Sequence, residues 1–116
     1  MSTHEGSCHC GRIAFTVEGD VDEVVDCNCS MCRRKGALLA AFPRDALTLK
    51  TPESDMGTYY FNKHAIDHRF CPACGISPFS EGKGPDGSRM TMVNVRCLPD
   101  VELSTLKVIP FDGAGY

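Results

Sequence analysis

Three cysteines fall within six residues in Cys27-Asn28-Cys29-Ser30-Met31-Cys32, and Arg33-Arg34-Lys35-Gly36 follows directly. Positions this close are badly placed to bridge one another as disulfides. Cys-x-x-Cys instead brings two thiolates to one ion at about 2.3 Å, the bite of a zinc knuckle. Cys27 offers a third thiolate just ahead of that bite. Three ligands from one tight loop leave a tetrahedral corner unfilled, and an unfilled corner separates a catalytic zinc from a structural one.

Two more pairs accompany it. Cys8-His9-Cys10-Gly11 is a Cys-x-Cys, a rarer bite that can still hold one metal through both sulfurs. Cys71-Pro72-Ala73-Cys74-Gly75 is a second Cys-x-x-Cys, with glycine where a tight turn needs positive φ. Two pairings compete. Cys29/Cys32 with Cys71/Cys74 would make a four-cysteine ribbon. The 38 residues between its halves exceed the usual spacing of roughly 15–20, and Cys8, Cys10 and Cys27 would be left without a role. Cys8/Cys10 with Cys71/Cys74 would close one site, leave Cys27/Cys29/Cys32 as a second, open one, and strand only Cys97. The second pairing is favoured because it employs more thiols.

The bulk composition sets the context. The 116 residues make one domain, 1–116, large enough to bury a core without relying on metal alone. Apolar residues at 42% and charged residues at 23% are those of a globular chain. The longest apolar run, Ala37 to Phe42, is too short to cross a bilayer. The first residues carry neither a basic nor an apolar region, so no secretory signal is read and a reducing, cytoplasmic compartment is expected. Eight cysteines in such a compartment are metal ligands before they are disulfides. The net charge of −3 becomes more negative once thiolates outnumber their dications, a poor platform for nucleic acid.

The elements that position these motifs read as short strands. Arg12 to Val17 alternates apolar with polar or small residues, and Gly19-Asp20 turns the chain. Val21 to Asp26 extends into the three-cysteine loop. Ala37 to Phe42, opened by Gly36 and closed by Pro43, is expected as a buried strand. Ala46 to Lys50 and Thr58 to Asn62 are two more, joined through Thr51-Pro52-Glu53-Ser54. Asp67 to Phe70 leads into the second Cys-x-x-Cys. Gly82 to Ser88 is a Gly/Pro-rich loop. Met90 to Val95 and Leu103 to Ile109 are expected to close a mainly β domain.

In order along the chain stand Gly6-Ser7-Cys8-His9-Cys10-Gly11, Cys27-Asn28-Cys29-Ser30-Met31-Cys32-Arg33-Arg34, Phe70-Cys71-Pro72-Ala73-Cys74-Gly75 and Val93-Asn94-Val95-Arg96-Cys97-Leu98. This series resembles the glutathione-dependent formaldehyde-activating enzyme family, whose domain also occurs in centromere protein V. The resemblance implies folded-over β-sheets, a β-tent, with two zinc sites. It maps a structural zinc onto Cys8, Cys10, Cys71 and Cys74, and a catalytic zinc onto Cys27, Cys29 and Cys32. Asn28 stands where many members have His. The activity implied is that of a carbon–sulfur lyase or synthase, which forms or cleaves S-hydroxymethylglutathione from glutathione and formaldehyde or a related small aldehyde. Three thiolates make zinc a weak Lewis acid, which suits thiolate exchange better than water activation.

Around the open site, Arg33 and Arg34, with Lys35, can pair with the carboxylates of glutathione; the plain alternative is a solvated charge run. His9 is flanked by cysteines that already fill the bite, so it is not expected to ligate. His64 and His68 are candidate bases, with a surface or strand-face role the simpler account. Cys97 is expected as a buried strand cysteine, and Tyr59, Tyr60 and Phe61 as core and pocket wall. The competing functional class is a two-zinc module that binds glutathione or another small thiol without turnover. A zinc-ribbon adaptor ranks lower because of the acidic balance. Iron in place of zinc would announce itself by colour.

Overall fold

A computed structural model of the chain describes residues 2–60, 66–84 and 86–115. Among the described residues, ten strands form two sheets. The smaller contains β1 (Thr3–Ser7), β2 (Ala14–Glu18) and β5 (Leu47–Leu49), all antiparallel in the order β1-β2-β5. The larger contains β3 (Glu23–Cys27), β4 (Leu39–Pro43), β6 (Gly57–Tyr59), β7 (Asp67–Phe70), β8 (Phe79–Lys83), β9 (Arg89–Asn94) and β10 (Lys107–Phe111). Its order is β10-β3-β4-β9-β8-β7-β6, and β10 runs parallel to β3 while the other described pairs are antiparallel. The expected mainly β, folded-over architecture is therefore what forms. Among the described residues no helix is long and apolar enough to cross a membrane.

Period-2 alternation builds the core. Phe15 and Val17 of β2 point inward between the more exposed Ala14, Thr16 and Glu18. Phe15 meets Phe79 of β8 edge-to-face, ring centroids 5.6 Å apart, so the two sheets share one apolar interior. Ile13, Val24, Phe42, Val93, Val95 and Leu98 fill the rest.

Several expectations shift. The three-cysteine segment is not all loop: Ser30–Lys35 forms a helix, α1. The strand expected over 46–50 is a 3-10 turn, Arg44–Ala46, followed by the short β5. The last strand begins at Lys107, after a 3-10 turn at Leu103–Thr105. Gly82 and Lys83, read as loop, end β8, and β1 was not expected at all. Of the strand expected at 58–62, Asn62 lies outside the described residues, as do Phe61 and His64.

A polar feature that sequence reasoning missed anchors the β7–β8 hairpin. Glu81 is 2% exposed and is held between Arg44 Nε and Arg69 Nε, the latter at 3.0 Å. Burial alone would push its carboxyl up. The hydrogen bonds and charges of Arg44 and Arg69 outweigh that and hold it below its ordinary range. Arg69 Nη1 also donates to Thr58 Oγ1 at 2.8 Å, which ties β6 into the same cluster.

Candidate metal centre

The seven cysteines of the three motifs gather into two groups. Sulfur atoms of Cys8, Cys10, Cys71 and Cys74 lie within 4.8 Å of one another, and so do those of Cys27, Cys29 and Cys32. The ribbon pairing of Cys29/Cys32 with Cys71/Cys74 does not form. All eight cysteines are free thiols.

The four-cysteine group is drawn from both sheets. Cys8 and Cys10 sit in the β1–β2 connection, and Cys71 and Cys74 in the β7–β8 connection. The two turns are built alike. Ile13 N–H donates to Cys8 Sγ at 3.3 Å, and Cys74 N–H to Cys71 Sγ at 3.4 Å. Each turn closes on a left-handed glycine, Gly11 at φ 83° and Gly75 at φ 82°, whose N–H reaches back to the first cysteine's carbonyl. Cys8–Cys10 and Cys10–Cys71 sulfur separations of 3.8 and 3.6 Å match the edge of about 3.8 Å expected for a tetrahedron of thiolates around an ion at about 2.3 Å.

The three-cysteine group is local. Cys27 ends β3 and Cys29 is the N-cap of α1, its Sγ accepting the Cys32 N–H at 3.3 Å. Cys29 N–H in turn points at Cys27 Sγ, 3.5 Å away. A thiol thus takes the capping place that Ser or Asp fills in other helices. Extended backbone before the cap and helix after it swing the three side chains onto one cavity of about 350 Å³. His68, Ser80 and Phe111 share its lining.

Electrostatics call for a cation in both groups. Cys32 is pushed up to about 12 by burial and by its neighbours Cys29 and Cys27. Cys29 is also desolvated, but the N–H of Cys32 and the neighbouring thiols pull it below the ordinary thiol value. In the other group the Arg12 N–H favours ionised Cys10, yet Cys71, desolvation and Cys8 together push Cys10 up to about 11. Cys74 falls to about 6 through the N–H groups of Ile76 and Cys10. Crowded sulfurs whose first proton leaves readily and whose last does not are donors that a dication would complete. Soft thiolates at this spacing fit zinc, and both groups can hold a metal ion.

The other candidates are sorted by position. Arg33 and Arg34 are exposed on α1 and do not line the cavity; Arg34 Nη1 donates to Ser30 O at 2.9 Å. Lys35 is half-buried, its Nζ 3.5 Å from His68 Nδ1. His68 is no surface histidine: it is 6% exposed on β7 and pushed down to about 4, first by burial and then by the Lys35 charge. His9 is exposed and belongs to neither thiol group. Cys97 is buried as expected, but in a 3-10 turn rather than a strand, and stands outside both groups. Burial, then the charges of Cys8 and Cys74, raise it to about 11, so it is an inert thiol. Tyr59 and Tyr60 are exposed rather than core, although Tyr59 walls a second cavity with Met31, Lys35 and His68.

Fold and thiol groups together define a two-sheet β protein with one cluster that staples its sheets and another that opens onto a cavity. The sequence matches the glutathione-dependent formaldehyde-activating enzyme family over residues 3–107. The chain belongs to that family. Among solved structures it is similar to a Rhodobacter sphaeroides protein determined in a structural-genomics programme. The two are 28% identical and superimpose with a TM-score of 0.77, over 90% of this chain and 99% of the other.

Proposed function

We propose that the protein is a zinc-dependent carbon–sulfur lyase or synthase that makes or breaks S-hydroxymethylglutathione from glutathione and formaldehyde. The observation that carries this is the set of three thiols, Cys27, Cys29 and Cys32, gathered on one cavity with no fourth Cys, His, Asp or Glu in the group among the described residues. Zinc held there would keep a visiting thiol as thiolate at neutral pH, a nucleophile for the small carbonyl carbon of formaldehyde. Cys8, Cys10, Cys71 and Cys74 hold the second, structural zinc.

The chain's own groups divide the remaining work. Arg33 and Arg34, just beyond Cys32 on the exposed side of α1, take the glutathione carboxylates, which lie away from its sulfur. A ring held near pKa 4 is a poor proton acceptor at neutral pH, so His68 is a wall of the cavity and not its base. Its Nδ1 faces the Lys35 ammonium, which places the ring proton on Nε2.

The test is the rate of adduct formation from glutathione and formaldehyde, followed by exchange NMR on holo protein. Acceleration over the spontaneous rate, lost in Cys29→Ser, is expected. No acceleration at any glutathione concentration removes the lyase reading. Calorimetric binding of glutathione without acceleration would leave a thiol-binding module.

A further inference from the structure

The chain beyond β10 runs back over the three-thiol group. Phe111 pairs in register with Cys27, and Phe111, Gly113 and Ala114 line the same cavity as the cysteines. The residue that holds this segment lies between two of those cysteines. Asn28 N–H donates to Phe111 O at 3.1 Å, its Nδ2 donates to Asp112 Oδ1 at 3.0 Å, and its Oδ1 accepts the Ala114 N–H at 2.9 Å. Both ends of one exposed amide side chain are therefore spent on the segment, and neither on the cysteine turn. The fit is tightest at Gly113. A Cβ there would overlap Cys27 Sγ and come to 3.1 Å from Cys29 Cβ. The overlap could be relieved only by lifting the segment or by swinging Cys27 out of the thiol group.

We propose that residues 111–114 form a strap, pinned by Asn28, that controls passage to and from the three thiols, and that Asn28 and Gly113 are positioning residues of this site. The inference rests on the assignment of a metal to Cys27, Cys29 and Cys32. A strap held in this way would slow the escape of an ion from the three thiols, because groups around a metal site contribute to its retention.

The test is the rate at which a chromophoric chelator strips zinc from the holo protein, with no glutathione or formaldehyde present. Asn28→Asp loses the donor and sets two carboxylates against each other. It should speed release of the labile zinc by about 10- to 100-fold and leave the slow, four-cysteine zinc unchanged. Pairing Asn28→Asp with Asp112→Asn reverses donor and acceptor and restores the bond, so release should return to within about threefold of the native rate. Native release in Asn28→Asp, equal acceleration of both zinc ions, or a double variant as fast as the single one would each overturn the strap. A protein that never carries a second zinc would instead remove the metal assignment under it, and that result shows in the metal content before any rate is measured.

Discussion

The two thiol groups use the same ligand type, yet they answer to different parts of the fold. The four-cysteine group takes two ligands from the β1–β2 connection and two from the β7–β8 connection, so an ion bound there would be held only when both sheets are in place. The three-cysteine group takes all its ligands from residues 27–32, so its geometry survives as long as β3 and α1 meet. Long-range ligation couples metal binding to folding, whereas local ligation leaves the metal free to be coupled to a ligand. Burial cuts across that division: Cys8, Cys71 and Cys27 are buried, Cys29, Cys32 and Cys74 are half-buried, and Cys10 is exposed, so it is the origin of the ligands and not their depth that separates the two groups.

The sharpest way to break this contrast is to remove one ligand from each group. Cys71→Ser should cost more than about 4 kcal/mol, because it deprives a sheet-bridging ion of a fully buried sulfur. Cys29→Ser should cost less than about 1 kcal/mol, since serine is itself a good N-cap for α1. Denaturant unfolding with metal analysis on the same samples reads both. Equal losses of stability would show that the groups are not divided into staple and site.

The next largest effect lies beside the staple. Glu81 compensates two arginines on the hairpin that presents Cys71 and Cys74. Glu81→Ala takes the buried carboxylate from Arg44 and leaves Arg69 only its longer contacts with Asp67 and Glu53; it should destabilise by about 3 kcal/mol, toward the low end for a broken buried pair because Arg44 is 24% exposed and Arg69 keeps two other acidic partners. On the proposed two-zinc assignment, zinc held by the four-cysteine group should then be stripped faster, while zinc held by the three-cysteine group is released as before. A Glu81→Ala protein with native stability and native release would mean that the arginine cluster does not support the staple.

The contrast was legible in the sequence to the extent that it is written in cysteine spacing. Positions 8, 10, 71 and 74 against 27, 29 and 32 carry the partition, because a chelating bite is a local property even when its partner bite is remote. β2 was legible for a similar reason, since Phe15 and Val17 alternate cleanly with exposed neighbours. What stayed hidden lacks an apolar signature. β1 reads Thr-His-Glu-Gly-Ser, and its one buried residue, Gly6, has no side chain to mark it. β8 carries a buried glutamate that periodicity scores as a surface residue, and only Arg44 and Arg69, 37 and 12 residues away, make that burial affordable. α1 begins on a cysteine cap that no propensity rule anticipates. The Asn28 pin joins positions 84 and 86 residues apart, beyond the reach of any spacing argument.

The smallest effect separates the cavity from the staple by pH. His68 lines the three-thiol cavity and stays neutral down to about 4, against about 6.5 in an unfolded chain. Above pH of about 6.5 the ring is neutral in both states and contributes no pH dependence. As the pH falls from about 6.5 toward 4, the unfolded chain takes a proton that the fold refuses, so native stability declines through that window and the decline ends once the folded ring titrates. His68→Asn keeps an acceptor for Lys35 Nζ and removes the titration. Its stability should therefore fall less steeply than that of the native protein, the curves diverging by about 1–2 kcal/mol near a pH of about 5. Acid also protonates the cysteines and releases metal, but that loss is common to both proteins and drops out of the difference. Urea unfolding of the two at matched pH gives the comparison directly. Parallel curves would place the histidine in a wetter setting than β7 provides, and the ring would then be free to titrate with the solvent beside the three thiols.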